Sequence, residues 1–370
     1  MQRIEHILPW SSPGTERRLS VFRFGSGPCK AYIQASLHAD ELPGMRVAVE
    51  LKRRLRELEA QGRLSGMIEL VPVANPIGLA QVFQATHQGR FEFASGNNFN
   101  RDFFDLAEAI APALNGCLGD DGPVNVRLIR AAMQAALESL PPATSELQGL
   151  QQLLLKHACD ADVVLDLHCD FEAVVHLYAL PQHWPQLRPL AARLAAGAVL
   201  TAEESGGSSF DESCSLPWLR LARCFPEANI PLACLATTVE LGGMADTDKP
   251  QAEARAEGIL AFLAEQGLIA GDWPPAPQAC CEATPFEGAE YAYAPHAGVV
   301  SFLQPVGARV KAGDPLFEVI DPLDDRHSTV CASTDGVLYV RERMRFAQPG
   351  LWLAKVAGRT PIRQGRLLSD

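Results

Sequence analysis

The alternation of apolar and polar residues along the first two thirds of the chain predicts strands that are followed by helices. Short apolar runs predict strands in SVFRFGSG, around Tyr32, and at Met67–Val73, Ala161–Leu167, Ala173–Leu180, Ala198–Ala202 and Leu232–Val239. Helical spacing of apolar residues predicts helices over residues 43–60, 124–140, 145–158, 186–197, 217–224 and 250–267. This order is typical of an α/β fold with a mixed, mostly parallel sheet that has helices on both faces.

Two other parts of the chain lack a helical pattern. Residues 77–105 are polar and aperiodic, and because so long a loop is uncommon in a compact domain, we expect it to be functional. Four prolines in GDWPPAPQACCEATPFEG indicate a domain boundary. Beyond it, short β runs alternate with Gly and Asp turns, which predicts a small all-β sandwich or barrel. We expect a first domain at 1–275, a linker at 276–288 and a β module at 289–370.

Composition narrows the possible partners. The chain has 370 residues, 47% of them hydrophobic, and a net charge of -12, which argues against nucleic acid or an anionic membrane surface as the partner. No apolar run approaches the ~20 residues of a membrane span, and the first residues lack the apolar core of a signal peptide. We therefore expect a cytoplasmic protein. Its ten cysteines include no CxxC pair, and several of them, such as Cys234, lie in apolar segments and are interpreted as small buried hydrophobes. Cys280 and Cys281, adjacent in the predicted linker, are assigned no role.

Two histidines and a glutamate follow predicted strands and form a candidate zinc site. His38 and Glu41 come directly after the strand around Tyr32, and His168 ends the strand that begins at Ala161. Ligands collect beyond the carboxyl ends of strands in open α/β sheets, and catalytic zinc takes about three protein ligands with one position left for water. Each residue alone is commonplace, but their joint occurrence predicts one zinc ion per chain. Asp166, two residues before His168, would orient a ligand.

Five further positions carry candidate chemistry. Glu240 ends an apolar strand, where a carboxylate is costly unless it is solvated, paired or used; we interpret it as a general base, and the alternative is a surface glutamate. Arg90 and Arg101 lie in the long loop with Asn98 and Asn100. An arginine binds a carboxylate in bidentate fashion, and a second one can stabilise an oxyanion. The alternative is that both arginines lie on the surface.

These residues stand in motifs that resemble those of the succinylglutamate desuccinylase/aspartoacylase family, a branch of the zinc-carboxypeptidase fold. The matching segments are, in order, His38-Ala39-Asp40-Glu41, Asn75-Pro76, Gly89-Arg90, Asn98-Phe99-Asn100-Arg101-Asp102-Phe103, Asp166-Leu167-His168 and Thr238-Val239-Glu240-Leu241-Gly242. The resemblance implies zinc on His38, Glu41 and His168, and Glu240 as the base. It also implies that Arg90 polarises the scissile carbonyl group. The substrate would be bound by Asn98, Asn100 and Arg101.

The sequence departs from the family pattern next to the candidate site. Ala39 replaces the usual glycine, at a position that supplies no ligand. His168 is followed by Cys169-Asp170-Phe171-Glu172, whose acidic residues hint at a substrate with a cationic group. Whether Asp170, Glu172, Asp211 or Glu212 line the pocket stays open.

The C-terminal β module resembles a biotinyl/lipoyl-like sandwich. Residues 321–327 correspond to the hairpin that would carry the attachment lysine, and they contain no lysine. We therefore interpret the module as a structural domain, a lid or an oligomer contact. Whether the protein forms a homo-oligomer is not decided by the sequence.

The resemblance and the candidate residues together predict a zinc-dependent hydrolase that cleaves the amide bond of an N-acyl amino acid, a small-molecule substrate. A metallocarboxypeptidase that acts on short peptides is the alternative among enzymes. A non-catalytic binding or scaffold protein that has retained the fold is the alternative from another class. Neither the acyl group nor the amino acid can be read from the sequence, since fold resemblance does not settle the substrate.

Overall fold

The computed structural model describes residues 1–367, and its largest element is a nine-stranded sheet. Up to residue 285 the strands are β1 (Gln2–Ile7), β2 (Arg18–Phe24), β3 (Lys30–Ala35), β4 (Met67–Val71), β5 (Val82–Phe83), β6 (Thr86–His87), β7 (Val163–Asp170), β8 (Glu172–Ala173), β9 (Val175–Ala179), β10 (Ala198–Thr201), β11 (Leu235–Gly243) and β12 (Ala283–Pro285). The helices are α1 (Leu42–Ala60), α2 (Pro76–Leu79), α3 (Leu106–Leu114), α4 (Gly122–Ser139), α5 (Glu146–Ala158), α6 (Trp184–Arg193), α7 (Phe210–Cys224) and α8 (Lys249–Glu265). Short 3₁₀ turns lie at Pro181–His183 and Phe286–Gly288.

The large sheet is mixed and mostly parallel, as predicted. Its order is β1-β2-β4-β3-β7-β11-β9-β10-β12. The strands from β4 through β3 and β7 to β11 run parallel, and so do β9, β10 and β12, whereas β1, β2 and the β11–β9 junction add antiparallel pairs. The central strands β3 and β7 are buried along almost their whole length, which explains why they read as continuous apolar runs.

Helices cover both faces of this sheet. On one face, α1, α6 and α8 pack with residues such as Leu51, Leu187 and Phe262 in a single core. On the other face, α3, α4, α5 and α7 form a second core that includes Ile129 and the fully buried Trp218. The predicted α/β class is confirmed. Within residues 1–367, none of the helices combines the length and the apolar character needed to cross a membrane.

Three local predictions differ from the structure. Helix α3 is absent from the predicted elements, although its capping residue, Asp105, accepts a hydrogen bond from Glu108 N (3.1 Å). Helix α7 begins at Phe210 and not near Pro217, because the proline is accommodated inside the helix. Strands β7 and β11 extend past His168 and Glu240, so both residues lie within strands and not at their ends.

The C-terminal residues form two antiparallel sheets that pack face to face. Their strands are β13 (Ala289–Tyr293), β14 (Gly298–Phe302), β15 (Arg309–Val310), β16 (Pro315–Ile320), β17 (His327–Cys331), β18 (Gly336–Arg341), β19 (Phe346–Ala347) and β20 (Trp352–Gly358). One sheet has the order β13-β20-β18-β15 and the other β17-β16-β14-β19. Buried residues from both sheets, among them Val300, Phe317 and Leu353, share one core.

The two parts of the chain are joined through main-chain pairing. Strand β8, which follows β7, pairs with β18 of the C-terminal sheets. Strand β12 lies inside the segment predicted as a linker, and it pairs with β10 at the edge of the large sheet. The predicted domain limits themselves stay a prediction, but the C-terminal sheets pack directly beside the end of β7.

We expect Leu165→Ala to lower the free energy of unfolding by about 2–5 kcal/mol, because Leu165 is fully buried in central strand β7 and its loss leaves a cavity. Urea unfolding followed by circular dichroism measures this change. Leu323→Ala is the matched control, since Leu323 is 89% exposed and its truncation should change stability by less than about 0.5 kcal/mol. Equal effects of the two substitutions would contradict this view of the core.

Candidate functional site

A tight turn after β3 places His38 and Glu41 side by side. Ser36 has a φ of 62°, a left-handed conformation that is uncommon for serine, and its hydroxyl donates to Glu41 O (3.0 Å). From the loop after β4, Asn75 Nδ2 donates to Leu37 O (2.9 Å). Helix α1 begins directly after the turn. The turn is therefore fixed by hydrogen bonds from within and from a neighbouring strand.

The Glu41 carboxylate lies between the two imidazoles of the predicted site. His38 Nδ1 is 3.0 Å from Glu41 Oε1, and His168 Nδ1 is 2.8 Å from Glu41 Oε2. One ligand atom from each of the three residues lies within 4.8 Å of the other two. All three side chains are buried. The structure therefore brings together the three predicted metal ligands, which come from the turn after β3 and from β7, more than a hundred residues apart.

The outer nitrogen of each imidazole faces an oxygen. His38 Nε2 lies 2.8 Å from Asn98 Oδ1, to which it donates a hydrogen bond. His168 Nε2 lies 2.9 Å from Asp166 Oδ2, although the two groups are not aligned for a linear hydrogen bond. Asp166 is itself held by Gln34 Nε2 (3.0 Å). With its proton on Nε2, the His38 ring presents an Nδ1 lone pair to the space beside Glu41, and the His168 ring does the same once its Nδ1 proton has left. Two imidazole nitrogens and a carboxylate with this backing fit a zinc ion.

Burial and neighbouring charges determine the protonation of the three groups. Burial, reinforced by the Arg90 charge, lowers the pKa of His38 to about 4, so this ring is neutral at pH 7. Burial opposes ionisation of Glu41, but His38 and His168 outweigh it and hold the Glu41 pKa well below its usual value. Burial also opposes charging of His168, but Asp166 and Glu41 raise its pKa well above the usual range.

Arg90 reaches two of these three side chains, those of His38 and Glu41, from the long loop. Its Nη1 lies 3.2 Å from His38 Nδ1 and 3.4 Å from Glu41 Oε1. Gly89 allows this approach, because a Cβ atom there would lie 2.2 Å from Asp40 N. The Gly-Arg pair singled out in the sequence therefore has a physical basis: only glycine lets the backbone pass close enough to deliver the guanidinium.

Glu240 stands beside His168 on the adjacent parallel strand. The two residues are register partners in the β11–β7 pairing, so their side chains leave the sheet on the same side. Burial, followed by the charge of Glu41, raises the Glu240 pKa to about 8. Its Oε2 has no hydrogen-bond partner among the described residues. A half-buried carboxylate with one buried oxygen and a pKa near neutrality suits a group that accepts and returns a proton.

Of the three other candidate residues of the long loop, two line the cavity and one contacts a candidate metal ligand from behind. Asn100 and Arg101 line the cavity beside the candidate metal ligands, whereas Asn98 lies behind His38 and not at the cavity surface. This position differs from the predicted substrate contact, because the Asn98 side chain is used to hold an imidazole. Asn100 Oδ1 also accepts from Phe210 N (2.8 Å) at the start of α7. Burial lowers the pKa of Arg101 to about 10.

The acidic residues considered for the pocket have different surroundings. Asp170 lines the cavity, but Lys355 Nζ donates to its Oδ2 (2.8 Å). Glu172 is outside the cavity lining and pairs with Arg341 (2.8 Å) and Arg345. Asp211 and Glu212, at the start of α7, line the cavity, and burial raises the pKa of both. The expectation of a cationic substrate is therefore no longer supported by Glu172, which is outside the cavity, or by Asp170, whose charge is paired with Lys355.

Sequence reasoning did not find the cavity residues that the C-terminal sheets supply. The cavity has a volume of about 340 Å³, and Tyr291, Trp352 and Lys355 form part of its wall. The pairing of β8 with β18 brings them to the end of β7. Their sequence context is that of an ordinary β-strand, so no local pattern distinguishes them from residues of a structural module.

Comparisons with known proteins agree with the geometry. Residues 29–266 match the family model described as the succinylglutamate desuccinylase/aspartoacylase catalytic domain. A structure of a protein of this family from Shewanella amazonensis is 28% identical with a TM-score of 0.83, covering 96% of this chain and 98% of its own. A second, from Shewanella frigidimarina, is 25% identical with a TM-score of 0.80, covering 96% and 97%.

A more distant structure shares the fold. The product-bound ectoine utilization protein EutE (DoeB) from Ruegeria pomeroyi is 16% identical with a TM-score of 0.67, covering 96% of this chain and 95% of its own. Among curated proteins, no sequence matches the chain. The similarity to the solved structures extends over the C-terminal sheets as well as the large sheet.

We expect Asn98→Ala to weaken zinc binding about 10- to 100-fold, because His38 loses the acceptor that fixes its ring and its tautomer. Competition with a chromogenic chelator measures the affinity. Asn97→Ala is the matched control, since the neighbouring Asn97 is exposed and should leave the affinity unchanged. Unchanged affinity in both variants would exclude a supporting role for Asn98.

Zinc affinity should rise with pH by about tenfold per unit as long as His168 is protonated in the free protein. Its pKa lies well above the usual value, and an imidazolium cannot bind a metal, so binding must displace this proton. Calorimetry between pH 5.5 and 7.5, in buffers of different ionisation enthalpy, reports the proton released. An affinity that does not change over this range would contradict the expectation.

Proposed function

The chain belongs to the succinylglutamate desuccinylase/aspartoacylase family, and from this premise we propose that it hydrolyses the amide bond of an N-acyl amino acid with one zinc ion. The observation that supports this most is the Glu41 carboxylate between His38 Nδ1 and His168 Nδ1, at the wall of a cavity that also contains Glu240. Each part of the reaction can be assigned to a side chain at this cavity.

His38, Glu41 and His168 would hold the zinc ion. When bound there, zinc acts as a Lewis acid that polarises a carbonyl group and lowers the pKa of water to ~7. The residues behind the ligands fix their directions: Asn98 holds His38, while Asp166, itself held by Gln34, faces His168. The donor set needs little rearrangement to bind the ion, because the three side chains already face one another in a buried site.

Glu240 acts as the general base. It takes a proton from the attacking water and returns it to the nitrogen of the leaving amine, so that the free amino acid is released. Support comes from its position beside His168, its buried Oε2, and a pKa raised to about 8 by burial and Glu41. A cation bound at Glu41 would lower this pKa toward neutrality, where a group transfers protons in both directions most readily.

Arginines orient the substrate and stabilise developing charge. Arg90 lies against His38 and Glu41, so its guanidinium is placed to stabilise the oxyanion that forms from the scissile carbonyl. Asn100 and Arg101 line the cavity further along, and they would bind the carboxylate of the amino acid. The hydrogen bond from Phe210 N to Asn100 Oδ1 fixes this asparagine relative to α7.

A substrate screen tests the proposed reaction. The purified zinc-loaded protein is offered acetyl-, formyl- and succinyl-amino acids beside dipeptides, and the release of free amine is measured. Turnover of N-acyl amino acids above that of dipeptides supports the proposal. A preference for dipeptides would favour a carboxypeptidase, and no turnover of either class by a folded, zinc-loaded protein would favour a binding protein.

Glu240→Gln should lower kcat by about 10²–10⁴-fold and leave zinc bound, because the amide cannot accept the proton whereas the three ligands are unchanged. Amine release measures kcat, and metal analysis of the same sample measures zinc. Glu227→Gln is the control, since Glu227 is exposed and far from the cavity lining. Retention of full activity in the Glu240 variant would overturn the assignment of the base.

A further inference from the structure

The lining of the candidate active-site cavity includes two chemically different sets of residues. The polar set contains the candidate metal ligands with Arg90, Asn100 and Arg101. A second set is apolar or aromatic: Tyr178, Leu180, Leu200, Phe286, Tyr291 and Trp352. The volume of about 340 Å³ lies in the range of pockets that enclose drug-sized ligands. The polar set accounts for the amide and one carboxylate of a substrate, and the apolar set remains to be explained.

The aromatic residues of this wall come from both parts of the chain and contact one another in pairs. Tyr178 and Phe286 have ring centroids 5.0 Å apart, and Tyr291 and Trp352 have centroids 6.2 Å apart. Phe171 stacks on Trp352 at 5.6 Å. Leu180, Leu200 and Phe286 are fully buried, while Tyr178, Tyr291 and Trp352 remain partly exposed. Exposed aromatic area in a cavity is what an apolar group of a ligand would cover.

The charged groups of the cavity do not favour a second carboxylate on the substrate. Outside the candidate ligands and Glu240, the lining includes five acids: Asp40, Asp170, Asp211, Glu212 and Glu342. The cations of the lining are Arg90, Arg101 and Lys355. Lys355 is paired with Asp170, and Arg90 with Glu41. Asp211 and Glu212 add no positive charge to the lining, and in their charged form they would repel a second carboxylate.

Lys355 is part of the aromatic wall and not a free cation. Its Nζ lies 4.2 Å from the centroid of the Trp352 ring and 5.3 Å from that of Tyr291, and it donates to Asp170 Oδ2. The residue is 5% exposed. The ion pair and the ring contacts hold β20 against the end of β7, so the Trp352 ring is fixed in position.

We propose that the preferred substrate is an N-acyl amino acid with a single carboxylate and one bulky apolar group, and that Trp352 and Tyr291 of the C-terminal sheets select it. This rests on the proposed function and adds the substrate class to it. Trp352 and Tyr291 are then specificity-determining residues that contact the substrate. The C-terminal sheets supply them, which gives this part of the chain a role in recognition.

A panel of substrates tests the proposal on the zinc-loaded protein. N-acetylphenylalanine carries the apolar group on the amino acid, and N-benzoylglycine carries it on the acyl side. N-acetylglycine lacks it, N-acetylaspartate and N-succinylglutamate add carboxylates, and N-acetyllysine adds a cation. We expect at least one of the two aromatic substrates to exceed all four others at least tenfold in kcat/KM, and the comparison of these two shows which side of the amide faces the wall.

Variants of the wall provide a second test. Trp352→Ala should lower kcat/KM for the preferred aromatic substrate about tenfold, mainly through KM, and lower that for N-acetylglycine less than threefold. Trp352→Phe should restore most of the loss, because it retains an aromatic ring. Phe346→Ala is the control, since Phe346 is exposed on the other C-terminal sheet and is not part of the cavity lining.

Two outcomes overturn the proposal while the proposed reaction stands. One is a preference for N-acetylaspartate, N-succinylglutamate or N-acetyllysine, and the other is an equal loss on all substrates in Trp352→Ala. If no compound is hydrolysed, the proposed reaction fails. The preference for a ligand with one carboxylate and an apolar group is then tested by calorimetry, which measures binding to the Glu240→Gln variant. N-acetylphenylalanine or N-benzoylglycine should then bind at least tenfold tighter than N-acetylaspartate, and equal or weaker binding contradicts the proposal.

Discussion

The contact of the Glu41 carboxylate with two imidazole nitrogens is the interaction on which the site depends. A buried carboxylate is costly unless it is paired, and here each of its oxygens faces an Nδ1 atom while Cys169 N also donates to Oε2 (3.1 Å). The two histidines come from β7 and from the turn after β3. The carboxylate therefore links two neighbouring strands of the sheet at the point where a divalent ion would be held.

The register of the parallel strands determines which residues surround the Glu41 site. Gln34 of β3, Asp166 of β7 and Thr238 of β11 are register partners in adjacent parallel strands, and His168 pairs with Glu240 two residues later. A parallel sheet fixes these neighbours at a spacing of about 4.8 Å, with side chains two residues apart on the same side. The positions of Asp166, of the candidate ligand His168 and of the proposed base Glu240 are thus consequences of one sheet register.

The C-terminal sheets complete the cavity that the large sheet begins. The β8–β18 pairing and the buried Lys355–Asp170 ion pair join them to the end of β7. The family match ends at residue 266, but the similarity to the Shewanella structures covers nearly the whole chain. The groups proposed for the reaction come from the large sheet. The apolar contacts proposed for substrate selection are supplied in part by the C-terminal sheets.

The sequence by itself determined the fold class and the residues nearest the candidate metal site, because each depends on local patterns. His38 and Glu41 directly follow a strand that an apolar run identifies, and His168 and Glu240 lie in two others. Gly89 marks the close approach that Arg90 needs. Only the tertiary structure decided that Asn98 accepts a hydrogen bond from His38, that Lys355 pairs with Asp170, and that Trp352 lines the cavity. The physical reason is that these contacts join elements that are far apart in the chain. Side-chain packing and strand pairing between the two parts bring these elements together, and neither is encoded in local periodicity.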